Sequence, residues 1–415
     1  MTKRKVDLLI LDSKETITVD DTTNQDELGI IDNGGVAVSG GKIIEAASSQ
    51  LLEQKFRSQN VLHAYNEIIL PGFVDPHSHL VFNGSREEEF QLRIQGLPYL
   101  EALRKGGGIL ETVNKTRQAS EGELYAMGQN RVNKAMELGT TTLEVKSGYG
   151  LRPYDELKIL RVVRRLAARN PCRLVSTFLG AHAIPPEHTL EEYSKMVVDE
   201  MLPAVRDGGL AEFCDVFCES GVFTPELSMR ILRAAASMGL RPKIHADQFT
   251  NNGGAQIANR VRATSADHLV HSHIDDLERM IETSVTPVVL PASSHSLLGD
   301  ARAPAREMLS RGLPLALGSD FSPSNWILGQ LTVAALAARD LRMRAGEIIR
   351  GITINAAKAL GRHHEVGSIK PGKSADFVIV KAPSHKWIGY TYGEGIVDKV
   401  LIGGKIVVNE GRRVN

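Results

Sequence analysis

The sequence is short of several features that mark particular classes of protein. It has three cysteines in 415 residues, only 5% aromatic residues and no surplus of charge, with 49 Lys and Arg against 49 Asp and Glu. A nucleic-acid binder would show a basic surplus and stacking aromatics, so no nucleic-acid partner is expected. With 42% hydrophobic and 24% charged residues, the chain is also too apolar for a disordered protein. We therefore expect a folded globular protein, and an enzyme in particular.

The cysteines and the apolar runs indicate a compartment. Cys172, Cys214 and Cys218 show no C-x-x-C spacing, so we expect buried free thiols in a reducing cytosol. The N-terminal segment has only a four-residue apolar run before Asp12, which is too short for the core of a signal peptide. No run approaches the ~20 apolar residues that span a bilayer. The sequence predicts a cytoplasmic protein with no membrane partner.

The two ends of the chain are alike and differ from the middle. Residues 1–67 contain short strands broken by turns, and residues 367–415 repeat that pattern, each with Gly-Gly pairs between apolar runs. Because chain ends often meet at the surface of a domain, we expect one small β-sandwich domain built from both termini. Two separate β modules are the alternative.

The middle, residues 68–366, alternates short apolar runs with helix-like stretches such as 121–138, 155–169, 225–238 and 304–311. Eight buried-type strands are predicted, at 68–74, 139–145, 173–179, 213–218, 241–244, 262–269, 285–290 and 313–318. This count is typical of a (β/α)8 barrel, so we expect an α/β fold with a distorted TIM barrel. An open doubly wound sheet is the alternative, but no G-x-G-x-x-G follows a first strand.

Polar residues stand where the predicted strands end, and in a barrel those ends share the face that carries active sites. His77 and His79 follow strand one, His245 lies at the end of strand five, and Asp320 follows strand eight. These residues form a His3Asp set that suits one zinc or iron ion with room for a water molecule. Water on such an ion ionises near pH ~7 and attacks a carbonyl group, and Asp320 can pass the proton to a leaving nitrogen. The H-x-H pair alone is a weak signal, since structural histidines are also common.

Other strand ends supply candidates for catalysis and substrate contact. His268 can polarise a carbonyl group or orient water, and a buried histidine bonded to backbone is the alternative. Arg86 suits capture of a carboxylate, or else a solvated ion pair with neighbouring glutamates. Tyr149, in a Gly-Tyr-Gly turn, is interpreted as a pocket wall, and His182 stands at the mouth of strand three. Lys146 is either a carboxylated bridge between two metal ions or an ordinary ion-pair partner.

Several segments resemble a known family. PGFVDPHSHL is similar to the first-strand signature of the amidohydrolase superfamily, and GSIKPGKSADFVIV to its return into a small β-sandwich. Within that superfamily the chain resembles the imidazolonepropionase family of histidine degradation, through TTLEVKSGYGL, TFLGAHAIP, FCDVFCESGVFT and KIHADQ. The resemblance implies hydrolysis of the cyclic amide of 4-imidazolone-5-propanoate to N-formimidoyl-L-glutamate. It also implies one metal ion per subunit, a substrate with a carboxylate tail and a homodimer.

The resemblance implies roles for individual residues as well. The metal ligands would be His77, His79, His245 and Asp320, with His268 assisting catalysis; the substrate contacts would be Arg86, Tyr149, His182, Gln248 and Tyr99. After the last metal ligand the family commonly has Asn-Pro-Gly-Ser/Thr, whereas this chain has Asp320-Phe-Ser-Pro-Ser-Asn325. Contacts from Ser322, Ser324 or Asn325 are therefore expected to differ from the family pattern. No family counterpart is identified for His295, and the mononuclear family gives Lys146 a structural or pocket role.

Two other functions stay open at this point. Another cyclic-amide hydrolase or a guanine-type deaminase would keep the fold and act on a related heterocycle, but a deaminase needs groups for a nucleobase rather than for an anionic tail. A non-catalytic barrel with a structural zinc is disfavoured, because such sites favour cysteine ligands and the three cysteines lie away from the histidines.

Overall fold

The strands of the molecule fall into three sheets. A computed structural model describes residues 3–19, 28–96, 108–392 and 395–414, and within them it shows a parallel sheet of eight strands, a mixed sheet of nine and one pair of short strands. No helix in these ranges is both long and apolar enough to cross a membrane.

The N-terminal part supplies the first strands of the mixed sheet. Its elements are β1 (Arg4–Lys5), β2 (Leu8–Ile17), β3 (Ile30–Ser39), β4 (Lys42–Ser48), α1 (Ser49–Lys55), β5 (Phe56–Arg57), β6 (Val61–His63) and β7 (Ile68–Pro71). The turn between β3 and β4 is the predicted Gly-Gly pair. Gly40 and Gly41 have φ values of +59° and +71°, a left-handed conformation that a two-residue hairpin turn requires and glycine adopts without strain.

The middle of the chain forms the barrel. Its strands are β8 (Phe73–Asp75), β9 (Thr140–Lys146), β10 (Arg173–Ala181), β11 (Phe213–Cys218), β12 (Arg241–Ala246), β13 (Ser265–His268), β14 (Thr286–Val289) and β15 (Ala316–Leu317). Each pairs in parallel with the next. The circle closes just beyond β8 and β15, where Asp320 N donates to His77 O at 2.9 Å and His79 N donates to Phe321 O at 2.8 Å. Closure therefore runs through the predicted metal ligands.

Helices follow the barrel strands. They are α2 (Glu87–Ile94), α3 (Ile109–Gln118), α4 (Glu121–Glu137), α5 (Pro153–Arg169), α6 (Leu190–Met196), α7 (Leu202–Asp207), α8 (Pro225–Ser237), α9 (Gly254–Val261), α10 (Ile274–Thr283), α11 (Pro291–Ser296), α12 (Ala305–Ser310), α13 (Gln330–Asp340), α14 (Ala345–Gly351) and α15 (Ile354–Ala359). A π turn (Val197–Met201) joins α6 to α7, and a short 3-10 helix spans His385–Trp387. Helix α4 begins with a capping box between Ser120 and Glu123, and Thr224 caps α8.

The C-terminal strands complete the mixed sheet. They are β16 (Phe377–Val380), β17 (Val397–Ile402), β18 (Lys405–Asn409) and β19 (Arg412–Arg413). Strand β16 pairs antiparallel with β7, which gives the order β19-β18-β17-β16-β7-β2-β3-β4, with β6 beside β2. Both ends of the chain thus share one sheet beside the barrel, and the predicted fold class is confirmed.

The predicted strand at 68–74 is in fact two strands in two sheets. Strand β7 belongs to the mixed sheet and β8 to the barrel, and Gly72 separates them. A Cβ at Gly72 would lie 2.2 Å from Thr141 Oγ1, so only glycine fits where the chain crosses between the sheets. The domain boundaries at 67/68 and 366/367 stay a prediction.

Candidate active site

Five side chains predicted from the strand ends meet at the carboxyl end of the barrel. The ring centroids of His77 and His245 lie 4.5 Å apart, and those of His245 and His268 lie 5.1 Å apart. Asp320 Oδ1 lies 3.6 Å from His77 Nε2 and 3.5 Å from His79 Nε2. All five residues are buried. The structure therefore gathers the four residues predicted to hold a metal ion and places His268 beside them.

These residues fit a metal ion. The possible ligand atoms of His77, His79 and His245 lie within 4.8 Å of one another, and so do those of His77, His268 and Asp320. Within the part of the chain that the structure describes, Nε2 of His77, His245 and His268 is buried without a hydrogen-bond partner. A buried ring nitrogen normally has a partner, and a ligated ion supplies one. The site is a donor set able to hold a divalent metal ion.

Carboxylates behind the rings decide which nitrogen faces the cleft. Asp267 Oδ2 lies 2.6 Å from His77 Nδ1, and Asp215 Oδ2 lies 3.0 Å from His245 Nδ1. The Asp267 carboxylate accepts a hydrogen bond from the Nδ1–H of a neutral His77 ring and leaves Nε2 of that ring as the electron-pair donor, whereas Asp215 contacts the His245 ring by charge. Burial, and then the positive charge of Lys146, lowers the pKa of His77 well below its usual value, so this ring is neutral at pH 7.

Lys146 lies at the centre of a buried charge network beneath the histidines. Its Nζ lies 2.6 Å from Asp215, 3.0 Å from Glu144 and 3.5 Å from Asp267, and Lys243 lies 2.9 Å from Glu144. None of these five side chains is exposed. Burial alone would lower the pKa of Lys146, but the three carboxylates more than offset it and raise that pKa. The geometry agrees with an ion-pair partner rather than a carboxylated bridge.

Asp320 differs from an ordinary surface carboxylate. Burial raises its pKa to about 6, although a hydrogen bond with Ser293 and the charge of His245 act in the opposite direction. A carboxyl group with such a pKa can gain and lose a proton near neutral pH.

The histidines open into a cleft of about 530 Å³, and Arg86, Tyr149, His182 and Gln248 lie along its wall. Tyr149 is buried, with its ring centroid 5.4 Å from that of His182. His182 Nδ1 lies 3.0 Å from Gly148 O, and since a carbonyl oxygen can only accept, Nδ1 is the donor and Nε2 the acceptor. Burial lowers the pKa of His182 to about 3, so the ring is neutral.

Arg86 stands at one end of the cleft in a ladder of charges on α2. Its Nη1 lies 3.6 Å from Glu89 Oε2, and Glu89 Oε1 lies 3.6 Å from Arg93 Nε. Arg93 also donates to Ser296 O at 3.1 Å and Ser324 O at 3.4 Å, which ties the helix to the cleft wall. Two arginines and one glutamate, all nearly buried, thus stand at this end of the cleft.

The loop after Asp320 contains side chains that border the cleft and one whose amide group is bonded to the backbone. Ser322 Oγ lies 3.2 Å from Ser324 Oγ, and both residues border the cleft. Asn325 also borders the cleft, but its amide nitrogen donates to Ser319 O at 2.8 Å and Asp320 O at 3.2 Å. The amide hydrogens of Asn325 are therefore engaged by backbone.

Two other residues from the sequence lie elsewhere. Tyr99 falls outside the described residues. His295 is more than half exposed and its Nδ1 lies 3.2 Å from Asp340 Oδ2, so it forms a surface ion pair next to the cleft rather than a part of its lining.

Sequence reasoning missed part of the cleft wall and the support behind it. Strand seven was the one strand without a polar candidate, yet Ser293 and Ser296 of α11 line the cleft, as do Phe217, Phe249 and Leu297. The repeated serines of PASSHS were the available signal. The supporting carboxylates had a signal too, because Glu144, Asp215 and Asp267 are charges inside predicted buried strands.

Comparison with known proteins agrees with the fold. Residues 68–407 match the model of the amidohydrolase family. Among solved structures, a zinc-bound adenosine deaminase from Xanthomonas campestris superposes with a TM-score of 0.77 over 100% of this chain and 95% of its own, at 18% identity. E. coli guanine deaminase gives a TM-score of 0.74 over 97% and 99%, at 16% identity. At these identities the likeness establishes the fold alone.

Sequence relatives narrow the class further. The chain is 43% identical over 390 residues to the imidazolonepropionase of Alkaliphilus oremlandii, covering 93% of this chain and 92% of the relative. It is 44% identical over 393 residues to that of Geobacillus kaustophilus, with the same coverage. The chain belongs to the imidazolonepropionases of the amidohydrolase family.

Proposed function

We propose that this protein hydrolyses the cyclic amide of 4-imidazolone-5-propanoate to N-formimidoyl-L-glutamate, a step of histidine degradation. The observation that carries the proposal is the pairing, in one cleft, of a buried His3Asp set with a nearly buried arginine, Arg86. That pairing matches a small substrate with one hydrolysable ring amide and one carboxylate. The names of the relatives support the same reaction.

Residues His77, His79, His245 and Asp320 would hold the metal ion, which is either zinc or iron, because three imidazoles and one carboxylate suit both. The ion would supply a Lewis acid and lower the pKa of water for attack on the ring carbonyl carbon. The carboxylate of Asp320 would accept a proton from the attacking water and pass it to the ring nitrogen as the C–N bond breaks. His268, buried beside His245, faces the position of the carbonyl oxygen and polarises it.

The other contacts orient the substrate. Arg86 binds the propionate through paired N–H groups, and Tyr149 forms a wall of the ring pocket. Because His182 Nε2 is an acceptor, it receives a hydrogen bond from a ring N–H of the imidazolone. Gln248, Ser322 and Ser324 supply further polar contacts along the cleft, and Tyr99 is a candidate contact from the sequence.

The test is a side-by-side assay of the metal-assayed protein with imidazolone propionate and with guanine, following the loss of ring absorbance. We expect turnover of the first compound only, and expect Asp320→Asn and His245→Ala to abolish it. If the protein with full metal occupancy turned over guanine and not imidazolone propionate, the proposal would be wrong and the protein would be a deaminase.

We also propose that the protein works as a homodimer in the cytoplasm. Three cysteines that are free and buried suit a reducing compartment, and a twofold dimer is the commonest closed assembly. Light scattering of the purified protein, together with fractionation of cells, tests both statements.

A further inference from the structure

The loop after β15 carries Asp320 in an unusual backbone conformation. Its φ is +50°, in the left-handed region that a residue with a side chain seldom adopts. Such a conformation costs free energy and persists only where surrounding contacts hold it. The approach of the Asp320 carboxylate to His77 and His79 depends on this conformation, because the backbone angles set the direction of Cβ.

The side chain of Asn325 holds this backbone from inside the loop. Its Nδ2 donates to Ser319 O at 2.8 Å and to Asp320 O at 3.2 Å, and its Oδ1 accepts from Ser296 Oγ at 3.1 Å. The main chain of Asn325 exchanges two further hydrogen bonds with Ser322, each of 3.1 Å. The residue is only 2% exposed. It therefore joins the peptide groups around Asp320 to the loop and to α11.

Other contacts fix the neighbours of Asp320 but not its carbonyl group. Asp75 accepts from Ser319 N at 3.0 Å and from Ser319 Oγ at 2.5 Å, and Asp320 N donates to His77 O. In the described part of the chain, the carbonyl oxygen of Asp320 receives its hydrogen bond from Asn325. The N–H of the same peptide group, on Phe321, donates to Ser319 Oγ at 3.1 Å, so Asn325 is the side chain that holds the carbonyl end of this group.

We infer that Asn325 is a positioning residue for the carboxylate of Asp320, and that it acts by holding the left-handed backbone rather than by contacting substrate. The inference rests on the proposed role of Asp320 as metal ligand and proton carrier. It also explains the altered sequence of this loop: an amide stands five residues after Asp320, where it reaches back to the backbone.

The experiment compares Asn325→Ala with Asn355→Ala. Asn355 is a matched control, since it is also buried and its amide donates to Leu315 O, at the other end of β15. Zinc affinity is measured by competition with a chelator, and the thermal midpoint reports folding. We expect Asn325→Ala to bind zinc roughly 10- to 100-fold more weakly, the range for lost support of a metal ligand. Asn355→Ala should lower the midpoint and leave zinc affinity unchanged.

The kinetic readout separates positioning from substrate contact. With imidazolone propionate, Asn325→Ala should lower kcat and leave KM nearly as in the parent protein, because the substrate contacts remain. If Asn325→Ala does not fold, Ser296→Ala tests the inference instead, because it removes the hydroxyl group that donates to Asn325 Oδ1. We expect Ser296→Ala to bind zinc roughly 2- to 10-fold more weakly than the parent protein.

Unchanged zinc affinity in Asn325→Ala, or in Ser296→Ala if Asn325→Ala does not fold, would overturn the inference. A rise in KM alone would overturn it too, and so would an equal loss of affinity in Asn355→Ala. Zinc affinity does not depend on which heterocycle is the substrate, so a failure of the parent protein to act on imidazolone propionate is a separate result.

Discussion

At the scale of single residues, the proposed function makes Arg86 the residue that determines how tightly the substrate binds. We predict that Arg86→Ala raises KM for imidazolone propionate by ~10- to 100-fold and changes kcat little, because it removes a charge-assisted, paired hydrogen bond to the carboxylate. The KM of Arg86→Lys should lie between those of the parent protein and Arg86→Ala, because lysine keeps the positive charge but lacks the planar guanidinium group. Steady-state kinetics of the three proteins measures both constants.

A substrate analogue without the propionate is the control for this prediction. On such a ring, Arg86→Ala and the parent protein should react equally well, because no carboxylate is present to bind. If the variant loses as much activity on the analogue as on the full substrate, Arg86 is a structural residue of the ladder with Glu89 and Arg93, and its role as an anchor is wrong.

Residues that belong to strand ends could be predicted, and residues that act through others could not. His77, His79, His245 and Asp320 are recognisable because a barrel brings the ends of its strands to one face. The engagement of the Asn325 amide depends on the path of a six-residue loop, which no pattern in the sequence encodes. Ser293 was not predicted as a cleft residue, because a serine after a strand is common in loops of every kind.

At the scale of elements, Lys146 connects three strands beneath the site. It stands on β9 and pairs with Asp215 of β11 and Asp267 of β13, the two carboxylates that contact His245 and His77. We predict that Lys146→Met destabilises the fold by ~3–5 kcal/mol, because it leaves buried carboxylates without their partner. Metal affinity should also fall by ~10- to 100-fold, as both histidines lose their orientation. Urea unfolding and chelator competition measure the two effects.

Lys158→Met is the control for this prediction, because it removes a buried lysine that does not orient the site histidines. Lys158 is a buried lysine of α5 that pairs with Asp155 at 2.9 Å and donates to backbone carbonyl groups of residues 116, 117 and 119. Its substitution should destabilise the fold and leave metal affinity as it was. Normal metal affinity in Lys146→Met would contradict the role given to the network.

The positions of the strands along the chain could largely be predicted, but the sheet to which each strand belongs could not. All eight predicted barrel strands overlap an observed barrel strand, because buried parallel strands read as short apolar runs between helices. The run at 68–74 gave no sign of its division, since β7 and β8 are both fully buried and differ only in their neighbours. Pairing of β7 with β16 is a contact between residues some 300 positions apart, and hydrophobic pattern alone does not specify it.

At the scale of the whole molecule, the zero net charge conceals strongly placed charges. The network around Lys146 holds two lysines against three carboxylates and has a net negative charge behind the site, which favours a cation there. Arg86, at the start of α2, carries the opposite sign and in the proposed function meets the substrate carboxylate. Each end of the cleft therefore complements one part of the proposed complex, and composition could exclude polyanion partners without revealing this separation.

The same burial makes the stability of the metal-free protein depend on pH. Burial lowers the pKa of four site histidines, His77, His79, His182 and His268, below their ordinary value of 6.5. Below pH 6.5 the unfolded chain binds protons at these positions and the folded chain does not, so their contribution is present above pH 6.5 and is lost as the pH falls. Asp75 and Asp320, with pKa values raised to about 7 and about 6, bind protons in the folded state and oppose this loss.

The four histidine rings set the expected sign, because each has an ordinary pKa of 6.5 and so titrates in the unfolded chain within this range, although burial also raises the pKa values of Asp267 and Glu156 and these groups act in the opposite direction. Between pH 6.5 and 5.5 we expect the metal-free protein to lose on the order of 1–2 kcal/mol of unfolding free energy, since each unmatched pKa shift contributes up to ~1.4 kcal/mol per pH unit. Urea unfolding of chelator-treated protein at several pH values between 5.5 and 7.5 measures the slope. His268→Asn, which removes one of the four titrating rings, should make the slope shallower. A stability that stays level or rises as the pH falls, with the same slope in His268→Asn, would contradict the prediction that neutral, buried rings dominate the pH dependence.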